Sequence, residues 1–179
     1  MFSGPAEIYD RFIGRYSPGL ARAMCKTAGV QPGQRALDVG CGSGALMAAL
    51  TDVLGAENVA GVDPSETFVE ATRTKAPGAH VVLGSAESLP FADGEFDATL
   101  SQLVVNFLTD PEQGLREMSR VTRRGGVVAG CVWDYGGEMT MLRAFWDAAA
   151  ALDAERAPAR TRCGSPDPKS SRRYGGVQG

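Results

Sequence analysis

Five short apolar segments rich in β-branched residues recur along the chain, and a helix-like or polar stretch separates each one from the next. The segments are "RALDV" (35–39), "NVAGV" (58–62), "HVVL" (80–83), "DATLSQ" (97–102) and "GVVAGCVW" (126–133). Runs of this kind are typical of parallel strands that are buried on both faces. The alternation therefore predicts an α/β fold, namely a doubly wound, mostly parallel sheet of five strands with helices on both faces.

The stretches outside these segments carry apolar residues at helical spacing. Helices are predicted over 5–13, 18–29 and 138–153. Between the strands, three further helices are indicated by the apolar stripes Leu46, Leu50, Val53 and Leu54; Phe68, Val69 and Thr72; and Leu115, Met118 and Val121. The last part of the chain has almost no large apolar residues to bury. We therefore expect one domain over 1–153 and a disordered basic tail over 154–179.

Charge and cysteine content narrow the classes of protein to which the chain can belong. The net charge is −3, and residues 154–179 hold six Lys or Arg against two Asp or Glu, which leaves the first 153 residues strongly acidic. An acidic domain is not expected to bind nucleic acid, because the phosphate backbone is also negatively charged. The charged N-terminus and the lack of a long apolar run predict a cytoplasmic protein without a membrane anchor. The four cysteines lie far apart and only one histidine is present, so no metal site is expected.

The stretch "LDVGCGSGAL" (37–46) follows the first predicted strand directly. In a doubly wound sheet, ligands bind beyond the carboxyl ends of the strands, where the strand order reverses. Gly40, Gly42 and Gly44 allow a tight turn into the next helix and let backbone N–H groups approach a ligand closely. A tight turn without any ligand is the alternative interpretation of these glycines.

Two carboxylates refine the expected ligand. Asp63 ends the second strand, nineteen residues after Gly44, where a carboxylate can accept hydrogen bonds from both hydroxyls of a ribose; it can equally cap the following helix, with Pro64 at the first helical position. Gly40, Gly42 and Ala45 also satisfy a dinucleotide pattern, so a nicotinamide-dependent oxidoreductase stays open. Asp38 argues against a dinucleotide, because its negative charge would repel the pyrophosphate. The same charge would attract a cationic amino group. A nucleoside with an amino-acid tail is favoured.

The chain resembles class I S-adenosylmethionine-dependent methyltransferases of the small-molecule type. The resemblance rests on "LDVGCGSGAL", "VAGVDPSETFVEAT", the long run from "VVLGSAESLPF" to "RRGGVVAG", and the N-terminal "YDRFIGRYSPGLAR", which together cover most of residues 8–134. It implies S-adenosylmethionine as cofactor, a small-molecule substrate, and an N-terminal helical lid over about residues 1–30. The implied cofactor-binding residues are Asp38, Gly40, Cys41, Gly42, Gly44, Asp63, Pro64, Ser85, Ala86, Glu87 and Ser101.

Some positions depart from the pattern of similar enzymes. Ser85 stands where an aspartate often accepts from the adenine amino group, which predicts weaker cofactor binding. Asn106 stands where many relatives carry histidine. No general base is evident, and His80, at the start of the third strand, is expected to be structural. The candidates for orienting the reactants are Ser101, Gln102, Asn106, Tyr9 and Tyr16.

The resemblance also implies two further strands after the helix that ends near Asp153, and residues 154–179 lack the composition to form them. We therefore expect a truncated or frameshifted homologue. A non-catalytic remnant that binds the cofactor weakly or not at all is the alternative to an active enzyme. The strand over 126–133 would then lie at the edge of the sheet, which makes self-association through it possible.

Overall fold

A computed structural model of the chain describes residues 16–134. The helices predicted over 5–13 and 138–153, the tail over 154–179, Tyr9 and Cys163 lie outside the described residues. The chain divides at Val132, and residues 16–132 belong to one compact unit.

The described part of this unit contains four helices and five strands, which alternate as the sequence predicts except that a loop without a helix joins β3 to β4. Most bounds agree with the predictions within one or two residues. The elements are α1 (Ser17–Thr27), β1 (Ala36–Val39), α2 (Ala45–Leu54), β2 (Val59–Asp63), α3 (Glu66–Lys75), β3 (His80–Leu83), β4 (Phe96–Gln102), α4 (Pro111–Val121) and β5 (Thr122–Cys131), with 3-10 turns at Ala56–Asn58 and Val105–Phe107.

All pairs in the sheet are parallel, and the strand order is β3-β2-β1-β4-β5. β1 lies at the centre, with Asp38 in register with Gly61 of β2 on one side and with Leu100 of β4 on the other. The chain winds outward from β1 in one direction and then returns to its other side through β4. The point where the order reverses therefore lies between β1 and β4, at the carboxyl end of β1.

Two apolar layers cover the two faces of the sheet and confirm the doubly wound fold. One layer joins Ala21 of α1, Leu50 of α2 and Val69 of α3 to strand residues such as Leu100. The other joins Met118 of α4 to Leu37 and Val62. Successive residues of a strand point to opposite faces, so Leu37 and Val39 pack under α4, whereas Ala36 packs under the other three helices.

Helix α4 differs from the predicted apolar stripe at Leu115. It begins as the sequence suggests, with the Asp110 carboxylate accepting from the backbone N–H of Gln113 at 3.0 Å and Pro111 in the first turn. Met118 and Val121 are buried, but the side chain of Leu115 is 45% exposed. Gly114 takes its place, since a Cβ there would lie 2.5 Å from Leu108. The close approach of α4 to Leu108 requires the glycine and turns Leu115 outward.

Strand β5 also differs from its prediction, because it begins at Thr122, four residues earlier than expected. It follows α4 without a connecting loop, and its pairing with β4 is irregular between Phe96 and Ala98. Val127 and Val128 are 38% and 40% exposed. Among the described residues, no strand lies beyond β5. No helix within residues 16–134 is long and apolar enough to cross a membrane.

Candidate functional site

The glycine loop, residues 40–44, leaves β1 at its carboxyl end and leads into α2. Gly40, Gly42 and Gly44 have φ values of +75°, +51° and +87°, in the left-handed region that favours glycine. The N–H groups of Gly40 and Cys41 both donate to the carbonyl of Val62, at 2.8 and 3.0 Å. The loop is therefore held against the end of β2 and forms a fixed turn at the reversal point of the sheet.

Asp63 joins this loop to the end of β2. Its two carboxylate oxygens each accept one backbone N–H at 2.9 Å, Oδ2 from Gly42 and Oδ1 from Ser65. A carboxylate oxygen can accept two bonds, so each oxygen keeps one acceptor position. Burial raises the pKa of the carboxyl and the two N–H bonds lower it, with burial the larger effect. Pro64 precedes the N-cap Ser65 and is not at the first helical position, because α3 begins only at Glu66.

Asp38 is the most unusual side chain of the site. It is 1% exposed, and neither carboxylate oxygen has a hydrogen-bond partner. Burial, and next the negative charge of Asp63, raise the pKa of Asp38 to about 8, although the backbone N–H of Met47 acts in the opposite direction. The carboxyl of Asp38 therefore lies under the glycine loop with no positively charged side chain among the groups that shift its pKa.

Two further residues fix the shape of the loop. The Thr72 hydroxyl donates to the carbonyl of Gly42 at 2.8 Å, and its side chain packs where a Cβ on Gly44 would lie. Cys41 is 5% exposed, and burial raises the pKa of its thiol, with smaller contributions from Asp38 and Asp63. Sequence reasoning treated Thr72 only as part of an apolar stripe. Its role depends on a contact across thirty residues, and no local signal in the sequence reports it.

The end of β4 forms the other side of the reversal point. The buried Ser101 hydroxyl donates to the carbonyl of Val39 at 2.9 Å. Gln102 donates through Nε2 to the carbonyl of Ser17 at 3.3 Å, while its buried Oε1 has no partner. Leu103 follows with φ +61°, an uncommon conformation for a residue with a side chain. Val104 packs against Gly40, where an added Cβ would lie 2.6 Å from its γ carbons.

The segment after β3 contains the residues that the resemblance assigns to the adenine side. The Ser85 hydroxyl donates to the Glu87 carboxylate, which also accepts from the backbone N–H of Thr109 at 3.0 Å. The bond from Ser85, first, lowers the pKa of Glu87. Ala86 between them is buried at 7% exposure. Ser85 and Glu87 thus form a connected polar pair beside α4.

Helix α4 holds the rest of that segment in place. Arg120 donates to the carbonyls of Leu89 and Phe91 at 3.0 and 2.9 Å and to the Asp93 carboxylate at 2.7 Å. Glu117 accepts from the N–H of Leu89 at 2.8 Å and pairs with Arg120. An irregular loop needs partners for its backbone groups, and two side chains supply several of them here. Sequence reasoning did not identify Glu117 or Arg120.

The remaining candidates lie further out. The Tyr16 side chain is 65% exposed at the start of α1, and Asn106 is exposed in the turn Val105–Phe107. His80 lies at the amino end of β3, paired in register with Ala60, and its ring contacts Phe91 edge-on at a centroid distance of 6.0 Å. Within the described residues, no group of His, Cys, Asp or Glu is arranged to hold a metal ion.

An open cavity of about 350 Å³ borders the glycine loop on the side of α1 and α2. Arg22, Ser43, Asp52 and Lys75 contribute its polar lining. Neither Asp63 nor Ser85 lines it, so this cavity lies beside the strand ends and not over them.

Comparison with known families agrees with this geometry. The family described as "Methyltransferase domain" matches residues 37–130. The demethylmenaquinone methyltransferase of Beutenbergia cavernae is 36% identical over 130 residues, which cover 70% of this chain and 53% of the relative. The ubiquinone/menaquinone biosynthesis C-methyltransferase UbiE of Stenotrophomonas maltophilia is 35% identical over 70% of this chain and 54% of its own length. The chain thus spans about half the length of these two relatives.

Solved structures share the fold. A chain from the complex with the Haloferax volcanii Trm112 methyltransferase activator superposes with a TM-score of 0.69 and 25% identity, over 80% of this chain and 64% of that one. The YcgJ protein of Bacillus subtilis gives a TM-score of 0.60 and 28% identity, over 77% of this chain and 58% of that one. The matched family covers the loop, both acids and all but the first and last residues of the sheet. The chain belongs to the methyltransferase-domain family, among the class I S-adenosylmethionine-dependent methyltransferases.

Proposed function

We propose that the chain binds S-adenosylmethionine at the reversal point of the sheet and transfers its methyl group to a small molecule. The observation that carries the proposal is the combination of two buried acids, Asp38 and Asp63, with a glycine loop at the carboxyl ends of β1 and β2. A nucleoside with a cationic amino-acid tail offers hydroxyl donors to one acid and a positive charge to the other.

The residues around the loop fit such a ligand. Each oxygen of Asp63 retains an acceptor position for one ribose hydroxyl. The space where a Cβ on Gly42 would lie is open apart from the carbonyl of Gly40 at 3.9 Å, so a ligand can approach the backbone there. Asp38 has two orphaned oxygens that a nearby ammonium would compensate.

On the adenine side, Ser85, Ala86 and Glu87 are the proposed contacts. The Ser85 hydroxyl donates to Glu87 and accepts from the Glu87 N–H at 3.2 Å, which leaves it one acceptor position. A neutral hydroxyl accepts more weakly than a carboxylate, so we expect a lower contribution from this position than an aspartate would give. Glu117 and Arg120 would act behind it by holding the segment in place.

Methyl transfer from a bound sulfonium is an in-line displacement with a good leaving group. The chain's residues therefore have to hold the nucleophile in line and exclude water, and a base is needed only if the nucleophile begins protonated. Ser101 and Gln102 at the end of β4, Asn106 in the following turn, and Tyr9 and Tyr16 are the candidates for this orientation. Two relatives, one named as a demethylmenaquinone methyltransferase and the other as a ubiquinone/menaquinone biosynthesis C-methyltransferase, make quinone precursors the first substrate class to test.

Calorimetric titration of the purified chain with S-adenosylmethionine, S-adenosylhomocysteine and NAD tests the proposal. We expect both sulfur ligands to bind and NAD not to bind. Binding of NAD without S-adenosylhomocysteine would instead support the oxidoreductase suggested by the Gly40, Gly42 and Ala45 spacing. Absence of binding by all three would support a non-catalytic remnant. Asp63→Asn, compared with the exposed control Glu70→Gln, then tests whether the observed binding uses the strand-end site.

A further inference from the structure

Asp38 is the only acidic side chain among residues 16–134 that has both carboxylate oxygens buried and without a partner. The titratable groups that influence it or are influenced by it lie on four different parts of the fold. They are Cys25 of α1, Cys41 of the loop, Asp63 of β2 and Cys131 of β5. All of these are neutral or negative, and no cationic group is among them. In the free protein, none of these groups compensates a negative charge on Asp38, and the backbone N–H of Met47 offsets only part of the cost of burying that charge.

A buried carboxylate without a compensating charge is more stable in its protonated form than in its ionised form, because burial in an apolar interior penalises the charge. Asp63 has a different environment, since two backbone N–H groups stabilise its charge. The two acids under the loop therefore divide their roles. Its two backbone N–H bonds favour the charged form of Asp63, whereas burial without such bonds favours the neutral form of Asp38.

We propose that Asp38 is a neutral carboxylic acid in the free protein and that it releases its proton to the solvent when a ligand with a cationic amino group occupies the glycine loop. On binding, the O–H bond of the carboxyl breaks, the electron pair stays on the carboxylate, and the proton passes to water or buffer. The ammonium then replaces the proton as the neutralising charge. This inference rests on the proposed function and couples ligand binding to the release of a proton.

The size of the effect follows from Coulomb's law. An ammonium about 5 Å from a carboxylate, at an effective dielectric constant of about 20, lowers the pKa of the acid by roughly two units. The pKa of Asp38, about 8 in the free protein, would then fall to roughly 6 in the complex. At pH 7 the complex would release roughly 0.8 of a proton, and affinity would rise roughly 20-fold between pH 5.5 and 7.5.

The exchange also makes Asp38 a specificity-determining residue. A ligand with the same nucleoside but no ammonium, such as methylthioadenosine, leaves the acid neutral. Its affinity should therefore not rise over the same pH range. Below pH 7.5 an α-amino group stays mostly charged, so the ligand's own titration contributes little to the difference.

Calorimetry of S-adenosylhomocysteine binding at pH 7, in buffers with different ionisation enthalpies, counts the protons directly. We expect roughly 0.8 of a proton released by the unmodified chain, and close to none by Asp38→Asn or with methylthioadenosine. Glu70→Gln, an exposed acid on α3, should leave the count unchanged. If S-adenosylhomocysteine binds to the unmodified chain without proton release, the inference is wrong while the proposed function stands. If it does not bind, the proposed function itself fails.

A second measurement needs neither a ligand nor a variant. Carbon-13 NMR of the free chain, labelled at aspartate carboxyls, reports the titration of each one. We expect one carboxyl with a midpoint two or more pH units above that of a typical aspartate. A set of aspartates that all titrate below pH 5 would overturn the inference, whatever the ligand does.

Discussion

Replacing Gly40 with alanine tests how tightly the glycine loop packs on the segment that follows β4. The substitution adds a Cβ 2.6 Å from both γ carbons of Val104 and 3.0 Å from its β carbon. It also forces alanine to adopt φ +75°. The left-handed conformation costs about 1–2 kcal/mol, and overpacking against a stiff β-branched side chain costs about 1–3 kcal/mol more. We expect unfolding free energy to fall by about 2–5 kcal/mol in total.

Gly42→Ala provides a matched control, because Gly42 has φ +51° but only the carbonyl of Gly40, at 3.9 Å, near its added Cβ. It should carry the backbone cost alone, about 1–2 kcal/mol. Val104→Ala in the Gly40→Ala background removes the two closest atoms. The double variant should therefore be more stable than the sum of the single effects by about 1–2 kcal/mol.

Urea denaturation measured by circular dichroism gives the unfolding free energies, provided that the denaturant slopes agree among the variants. If Gly40→Ala destabilises the chain no more than Gly42→Ala does, the packing argument is refuted. Strict additivity of Gly40→Ala and Val104→Ala would lead to the same conclusion.

Four further predictions follow from the site and the sheet edge. Asp63→Asn should weaken S-adenosylhomocysteine binding about 10- to 100-fold in calorimetry, because charge-assisted bonds to the ribose are lost; an unchanged affinity would remove Asp63 from the site. Arg120→Met should speed hydrogen exchange at the backbone amides from Leu89 to Gly94, apart from Pro90, which has none, and equal rates in both proteins would contradict the role of α4 in holding this segment. Asp38 has a raised folded pKa, so its stabilising effect is present below pH 4 and is lost as pH rises toward 8; the unfolding free energy of Asp38→Asn should lack this decrease in urea titrations. We also propose that β5, beyond which residues 16–134 contain no further strand, pairs with a second copy of the chain, so Val128→Lys should shift sedimentation toward the monomer, whereas a concentration-independent monomer before substitution would contradict the pairing.

The sheet and the glycine loop at the carboxyl end of β1 were predictable because their signals are local. Buried parallel strands need apolar, β-branched residues, and "HVVL" and "RALDV" carry them in a few positions. The glycine loop was equally legible, since three left-handed conformations within five residues require glycine. From these two features the place of Asp38 and Asp63 near the carboxyl ends of β1 and β2 follows, whereas the strand order was not predicted.

Features that depend on tertiary contacts were not predictable. Helical periodicity assigned Leu115 to the core, but the close approach of Leu108 reserves that position for Gly114. The first residues of β5 include Arg123 and Arg124. Because these residues are charged, a search for apolar runs did not include the start of β5. Thr72 contacts Gly42 across thirty residues, and Leu103 adopts φ +61°. Neither has a sequence pattern that distinguishes it.

The residues proposed to orient the reactants remain predictions, and they differ in whether the structure already engages their side chains. Ser101 and Gln102 lie at the end of β4, although the hydroxyl of Ser101 is already bonded to Val39 and the amide of Gln102 to Ser17. Tyr16 and Asn106 are exposed. Substituting Ser101 or Gln102 should therefore affect the position of the strand ends as well as any bound reactant. The exposed pair can be substituted with less structural consequence.

A crystal structure of the chain with S-adenosylhomocysteine would show whether the ligand binds at the carboxyl ends of the strands. We expect the ligand to lie over the carboxyl ends of β1 and β2, with both ribose hydroxyls within hydrogen-bond distance of Asp63, about 2.5–3.0 Å. Its amino group should lie at the glycine loop on the side of Asp38. A ligand bound in the cavity between α1 and α2, or with its ribose away from Asp63, would contradict the account.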